Sequence, residues 1–104
     1  MRKEYNKLIR DKIPAIMQAQ NKKFKVHEAD EKEFQRKLQE KLLEEVTEFL
    51  ENPCIEELAD IQEVLNALLY SMEYDDQKLL QEMFTKTITN GAFQKKLILE
   101  WVES

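Results

Sequence analysis

The sequence predicts an all-α protein: a helical bundle built around one long helical hairpin and completed by oligomerisation. Three observations lead there. One Gly and two Pro are all that interrupt a chain rich in Glu, Lys, Leu and Gln, residues that favour helix and give few turn signals. Apolar residues recur at helical spacing through the middle of the chain. The 104 residues suit one domain, read as residues 1–104. A domain of this size has little core, so long amphipathic helices are expected to need a partner subunit, in a homodimer or homotetramer.

The elements follow in order. Asp11 is expected to cap a first helix over residues 11–22, DKIPAIMQAQNK, in which Pro14 sits in the first turn where a missing N–H does no harm. Residues 23–27, KFKVH, alternate and read as an extended connector. Asp30 followed by Glu33 resembles a capping box and starts a long helix running to about Leu50. Asn52 and Pro53 supply a cap and a first-turn proline for a second long helix from about Cys54 to Tyr74. Asp75 or Asp76 restarts a third helix, which Asn90-Gly91 ends. The tail, AFQKKLILEWVES, reads as a last helix or an extended arm too apolar to be free in water.

Charge is unevenly spread. The net charge is −5, yet residues 41–65 carry eight acids and one Lys, whereas residues 1–25 carry eight Lys and Arg and two acids. An acidic chain with no basic helix face argues against duplex nucleic acid as partner. No apolar run reaches membrane-span length, the amino terminus lacks an apolar signal core, and the single Cys54 has no internal disulfide partner. A cytoplasmic protein without a membrane partner is expected.

On a helical wheel advancing about 100° per residue, Phe34, Leu38, Val46, Phe49 and Leu50 fall within roughly 80° of Leu42. Glu45 lies inside that arc and Glu48 at its edge, whereas Glu44 and Glu51 point away. Around Leu65 the same construction gathers Leu58, Ile61, Leu68, Leu69 and Met72, with Glu57 inside the arc and Asp60 beside it. Glu56 and Glu63 point outward. Each inward pair is spaced i, i+3, so its two side chains share one side of the helix. If the hairpin closes apolar face to apolar face, four carboxylates converge in a partly desolvated seam, at a cost of several kcal/mol unless neutralised. An all-oxygen set points to a hard cation, Mg²⁺ or Mn²⁺, and the lack of Glu-x-x-His pairs argues against a bundle di-iron centre. The competing reading is that these acids are ordinary helix formers serving caps and dipoles.

Glu44-Glu45-x-x-Glu48 followed by Glu57-x-x-Asp60, on two helices joined by a short turn, resembles the signature of MazG-like all-α nucleoside triphosphate pyrophosphohydrolases. The opening YNKLIRDKIP and the later Lys86-x-x-x-Asn90-Gly91-x-Phe93 are similar to the phosphoribosyl-ATP pyrophosphohydrolase-like branch, except that Asn90 stands where the branch has arginine. The likeness spans most of the chain. It implies Mg²⁺-dependent hydrolysis of a nucleoside triphosphate between its α and β phosphates, giving monophosphate and pyrophosphate. Glu45, Glu48, Glu57 and Asp60 are then the metal-binding and catalytic set, with one carboxylate, Glu45 for example, orienting or deprotonating the attacking water. Lys7, Arg10, Lys12, Lys86 and Asn90 are the candidate substrate contacts; for the four cations among them the rival role is to balance the acidic hairpin. Phosphoribosyl-ATP is an alternative substrate. A non-catalytic helical module whose acidic hairpin binds a basic partner is the alternative from another class. Phe93 and Trp101 are read as covering apolar surface or a dimer seam, Tyr70, Met72 and Tyr74 as core or interface, His27 as a connector residue, and Cys54 as packing at a helix start.

Overall fold

The computed structural model describes residues 2–104. It contains four helices, α1 (Ile13–Ala19), α2 (Glu31–Glu51), α3 (Ile55–Ser71) and α4 (Asp76–Asn90), and no strand among the described residues. The protein is all-α, and none of these helices is long and apolar enough to cross a membrane. The chain divides into two compact units, one through Glu73 and one spanning Tyr74–Ser104.

In the first unit α2 and α3 pack along each other as a hairpin. Asp30 caps α2, its carboxylate accepting the Glu33 amide at 2.8 Å. The reciprocal half of a capping box is absent, because Glu33 turns to His27, 2.9 Å away. The turn between the helices differs in register from expectation. Asn52 closes α2 as its C-cap, Cys54 is the N-cap of α3, and Pro53 lies before that cap rather than in the first turn. α3 also stops at Ser71, short of Tyr74, because Glu73 adopts a left-handed φ of 62° and returns its amide to the Tyr70 carbonyl. Asp11 does not cap α1. A turn joining the Ile13 amide to the Arg10 carbonyl makes Lys12 the N-cap without a side-chain bond, and a left-handed Asn21, φ 58°, ends the helix early.

The packing seam is rotated from the centre of each apolar arc. On α2 the deepest residues are Leu38 and Glu45, while Leu43 and Leu50 remain about 70% exposed. On α3 the deepest is Val64, with Glu57 and Asp60 part-buried beside it and Leu58 and Leu65 exposed. Each helix has turned its acidic flank inward. On α3 the centre of the apolar stripe, Leu65, stays exposed, whereas on α2 the central Leu42 is part-buried and only the far edge at Leu50 is left in water.

In the second unit Asp75 caps α4, accepting the Lys78 amide at 2.8 Å. Gly91, at φ 86°, closes it in a conformation that side-chain-bearing residues rarely adopt. The tail forms neither helix nor strand, and Phe93, Leu97, Ile98, Leu99, Trp101 and Val102 are exposed. Tyr70, Met72 and Tyr74 are exposed as well, so none belongs to the core.

Candidate metal centre

Glu45 projects from the next-to-last turn of α2, and Glu57 and Asp60 from the first two turns of α3, so the short inter-helix connection brings them to the same end of the hairpin. One carboxylate oxygen from each of the three lies within 4.8 Å of the other two. Oxygens bound to one octahedral Mg²⁺ at about 2.0–2.1 Å lie about 3 Å apart when adjacent and about 4.2 Å apart when opposite, so the set has to draw inward to hold an ion. Glu48, expected as a fourth member, is exposed and outside this trio, although it stands close enough to Glu45 to act on its charge.

The trio carries two unsatisfied acceptors. Glu45 is 7% exposed, and its Oε2 has no hydrogen-bond partner; neither has the buried Oε2 of Glu57. A buried carboxylate oxygen without a donor is costly and uncommon in folded proteins. Burial, and then the charges of Glu48 and Asp60, push the Glu45 carboxyl above its ordinary range against the opposing pull of Lys41. An oxygen-only set of this kind, with two orphaned acceptors, fits a hard divalent cation.

The unfilled charge is met in part by a basic frame. Arg10 Nη2 donates to Asp60 Oδ1 at 2.8 Å. Lys41 Nζ lies 3.5 Å from Glu45 Oε1 and 3.5 Å from Glu44 Oε2. Lys7 Nζ donates to Glu44 Oε1 at 3.0 Å. Glu44 therefore does not point into open solvent. It is part-buried, anchoring the amino-terminal segment, because the seam's rotation carried this side of α2 under residues 5–8. Lys41 was not among the expected site residues. Its position four residues before Glu45 on the same helix was the available signal.

The Lys7–Glu44 pair is also visible in proton affinities. The hydrogen bond to Glu44 raises Lys7, against burial, and the charges of Glu44 and Glu48 add to it. Burial pushes Glu44 up, but Lys7 and Lys41 together outweigh it and hold the carboxyl below its ordinary range. Because the folded Lys7 value exceeds the unfolded one, its contribution is complete below about pH 10.5 and fades as pH rises through the folded value. Because the folded Glu44 value is depressed, its contribution is complete above about pH 4.5 and fades as pH falls through the folded value. The NMR shifts of residues 5–9 are therefore expected to be flat between about pH 5 and pH 10 and to move outside that window, and Glu44→Gln should give the displaced shifts already at pH 7.

Of the other expected contacts, Lys12 is exposed at the start of α1, and Lys86 and Asn90 lie on α4 in the second unit. A cavity of about 210 Å³ opens between the amino-terminal segment and α2, lined by Tyr5, Asn6, Lys7, Lys37, Lys41 and Glu44 among others. His27 is an exposed connector residue, and part-buried Cys54 sits at the start of α3. Compared with models of protein families, with curated proteins and with solved structures, the chain matches none.

Proposed function

We propose that the chain is a Mg²⁺-dependent nucleotide pyrophosphohydrolase of the MazG-like kind, adding water across the α–β anhydride of a nucleoside triphosphate to release monophosphate and pyrophosphate. The observation that carries this reading is the trio Glu45, Glu57 and Asp60 with its two donorless oxygens, joined to the sequence resemblance in the same residues. Mg²⁺, or Mn²⁺ in its place, would be held by these three carboxylates and would polarise phosphate oxygens and screen their charge. Glu48, exposed next to Glu45, is free to bind through an intervening water or to orient the nucleophile. Glu45 Oε2 has no donor, so it is our choice to accept the hydrogen of the attacking water. Arg10, Lys7 and Lys12 supply positive charge for the phosphates, and the cavity beside Lys7 and Lys41 offers space for such a group. Lys86 and Asn90 are carried by the resemblance alone.

The assay is pyrophosphate release from a panel of standard and modified nucleoside triphosphates and phosphoribosyl-ATP, with and without millimolar Mg²⁺. Release that requires Mg²⁺ supports the reading. No turnover on any member, with no Mg²⁺-dependent rise in melting temperature, favours a non-catalytic module instead.

We further propose a homodimer or homotetramer. Leu43, Leu50, Leu58 and Leu65 lie exposed on the hairpin, with Leu58 and Leu65 seven residues apart on α3. Such a stripe is the pattern of a helix seam awaiting a second helix. Leu65→Glu is expected to shift the sedimentation coefficient to that of the monomer, whereas an unchanged value would exclude this stripe as the interface.

A further inference from the structure

Arg10 reaches fifty positions along the chain to Asp60, at 2.8 Å, and Asp60 is one of the three carboxylates whose oxygens converge. A guanidinium at that distance occupies the charge a divalent cation would use. The two cannot share Asp60 without bringing like charges to within a few ångströms of each other. The trio also points to a ligand independently of Arg10, since Glu45 is more than nine-tenths buried and its Oε2 has no donor.

We propose that Arg10 is the resident counter-ion of the cation site, paired with Asp60 when no ion is bound, displaced when one enters, and then free to contact the substrate phosphates. This rests on the metal reading above and adds an order of events, in which the cation precedes the nucleotide. The local anatomy suits an exchange. The Arg10 carbonyl is held by the Ile13 amide in the turn before α1, so the exchange is a swing of the long, exposed side chain on a backbone that stays in place. Both partners are partly open to water, with side chains 56% and 38% exposed, so the pair is of the weak class that a more highly charged competitor can break.

The segment does not leave when Arg10 does. Lys7 remains on Glu44 at 3.0 Å, and Lys37 Nζ donates to the Asn6 carbonyl at 2.6 Å. Three residues of extended chain span at most about 10 Å, so a released Arg10 stays within reach of the carboxylates it left. Lys41 has no such freedom: it is carried on α2 itself, with a mostly buried side chain between Glu44 and Glu45. Of the two cations touching the trio, Arg10 is the one built to move. Its role is to set the site's charge before and after the ion arrives.

The test is Mn²⁺ binding to the full chain, followed by titration calorimetry and by electron paramagnetic resonance, in wild type, Arg10→Gln, Arg10→Lys and Lys22→Gln. Circular dichroism checks that each is folded. Arg10→Gln removes the competitor, so its Mn²⁺ dissociation constant is expected to fall about fivefold, with Arg10→Lys close to wild type and Lys22→Gln, which removes an exposed charge elsewhere, changed less than twofold. Pyrophosphate release by Arg10→Gln should nonetheless fall at least about tenfold, an opposition that simple loss of structure does not produce. Equal or weaker Mn²⁺ binding by Arg10→Gln, with wild type binding normally, overturns the exchange and leaves the metal reading standing. Tighter Mn²⁺ binding with unaltered turnover overturns the phosphate role. No Mn²⁺ bound by any of the four chains overturns the metal reading and this inference with it.

Discussion

Asp60→Asn should reduce pyrophosphate release by about a thousandfold or more and erase any Mg²⁺-dependent rise in melting temperature. An amide oxygen is a poorer ligand for a hard dication than a carboxylate, and the substitution removes one full negative charge from a three-residue set. Loss of a group that stabilises developing charge in the transition state typically costs a factor of about 10²–10³ on its own, and loss of the ion compounds it. Asp60 also accepts Arg10, so the substitution loosens the amino-terminal segment as well. That contact is partly exposed and such pairs contribute about 1 kcal/mol or less, so the fold should survive. Glu57→Gln, which has no arginine partner, separates the two effects: it should show the same loss of turnover and of Mg²⁺ response while leaving the segment in place.

The second large effect has the opposite sign for stability. Glu45→Gln should make the metal-free protein more stable at neutral pH, by about 5 °C in melting temperature, while abolishing activity. Burial is the leading reason the Glu45 carboxyl is pushed up, with the charge of Glu48 next, so the folded state holds the ionised group at a cost. For an acid whose folded value is raised, stability falls as pH climbs from the unfolded value, about 4.5, through the folded one, and the full penalty is in force above that. A neutral glutamine avoids it, and each kcal/mol recovered is worth about 4–8 °C in a domain of this size. The Lys41 contact, at 3.5 Å, is too long to offset the gain. Thermal melts of wild type and Glu45→Gln, each with EDTA and with Mg²⁺, give the check: with Mg²⁺ the wild type should rise and the variant should not. A variant less stable than wild type in EDTA would mean that Lys41, not an ion, is the partner Glu45 was selected to hold.

Much of this was written in the sequence, and the departures have physical reasons. Asp30 with Glu33, Asp75, and Asn90-Gly91 located the starts of α2 and α4 and the end of α4 because side-chain caps and a positive-φ glycine act locally. The ends of α1 and α3 lie earlier than expected because left-handed Asn21 and Glu73 stop them; asparagine after a helix is a local stop signal that the sequence carried, whereas nothing in the short-range pattern announces a left-handed glutamate. The helical wheel identified Glu45 and Glu57 as inward-facing. It could not give the rotation of each helix, because a wheel centres on the apolar residues and the hairpin does not: Leu65 and Leu50 lie outside the seam while Glu45 lies within it. That same rotation explains Glu44, sent outward by the wheel and found holding Lys7. The basic frame was seen as composition, an excess of Lys and Arg in the first 25 residues. Which cation meets which carboxylate, Arg10 to Asp60 across fifty positions, is a tertiary fact that no spacing encodes.

The central claim is that Glu45, Glu57 and Asp60 converge to hold a divalent cation. A crystal grown in MnCl₂ and measured at a wavelength where manganese scatters anomalously tests it most directly. The account predicts an anomalous peak bonded to carboxylate oxygens of all three residues, with Arg10 withdrawn from Asp60. A map with no peak there, Arg10 still on Asp60 and Glu45 Oε2 met by a protein donor, would contradict it.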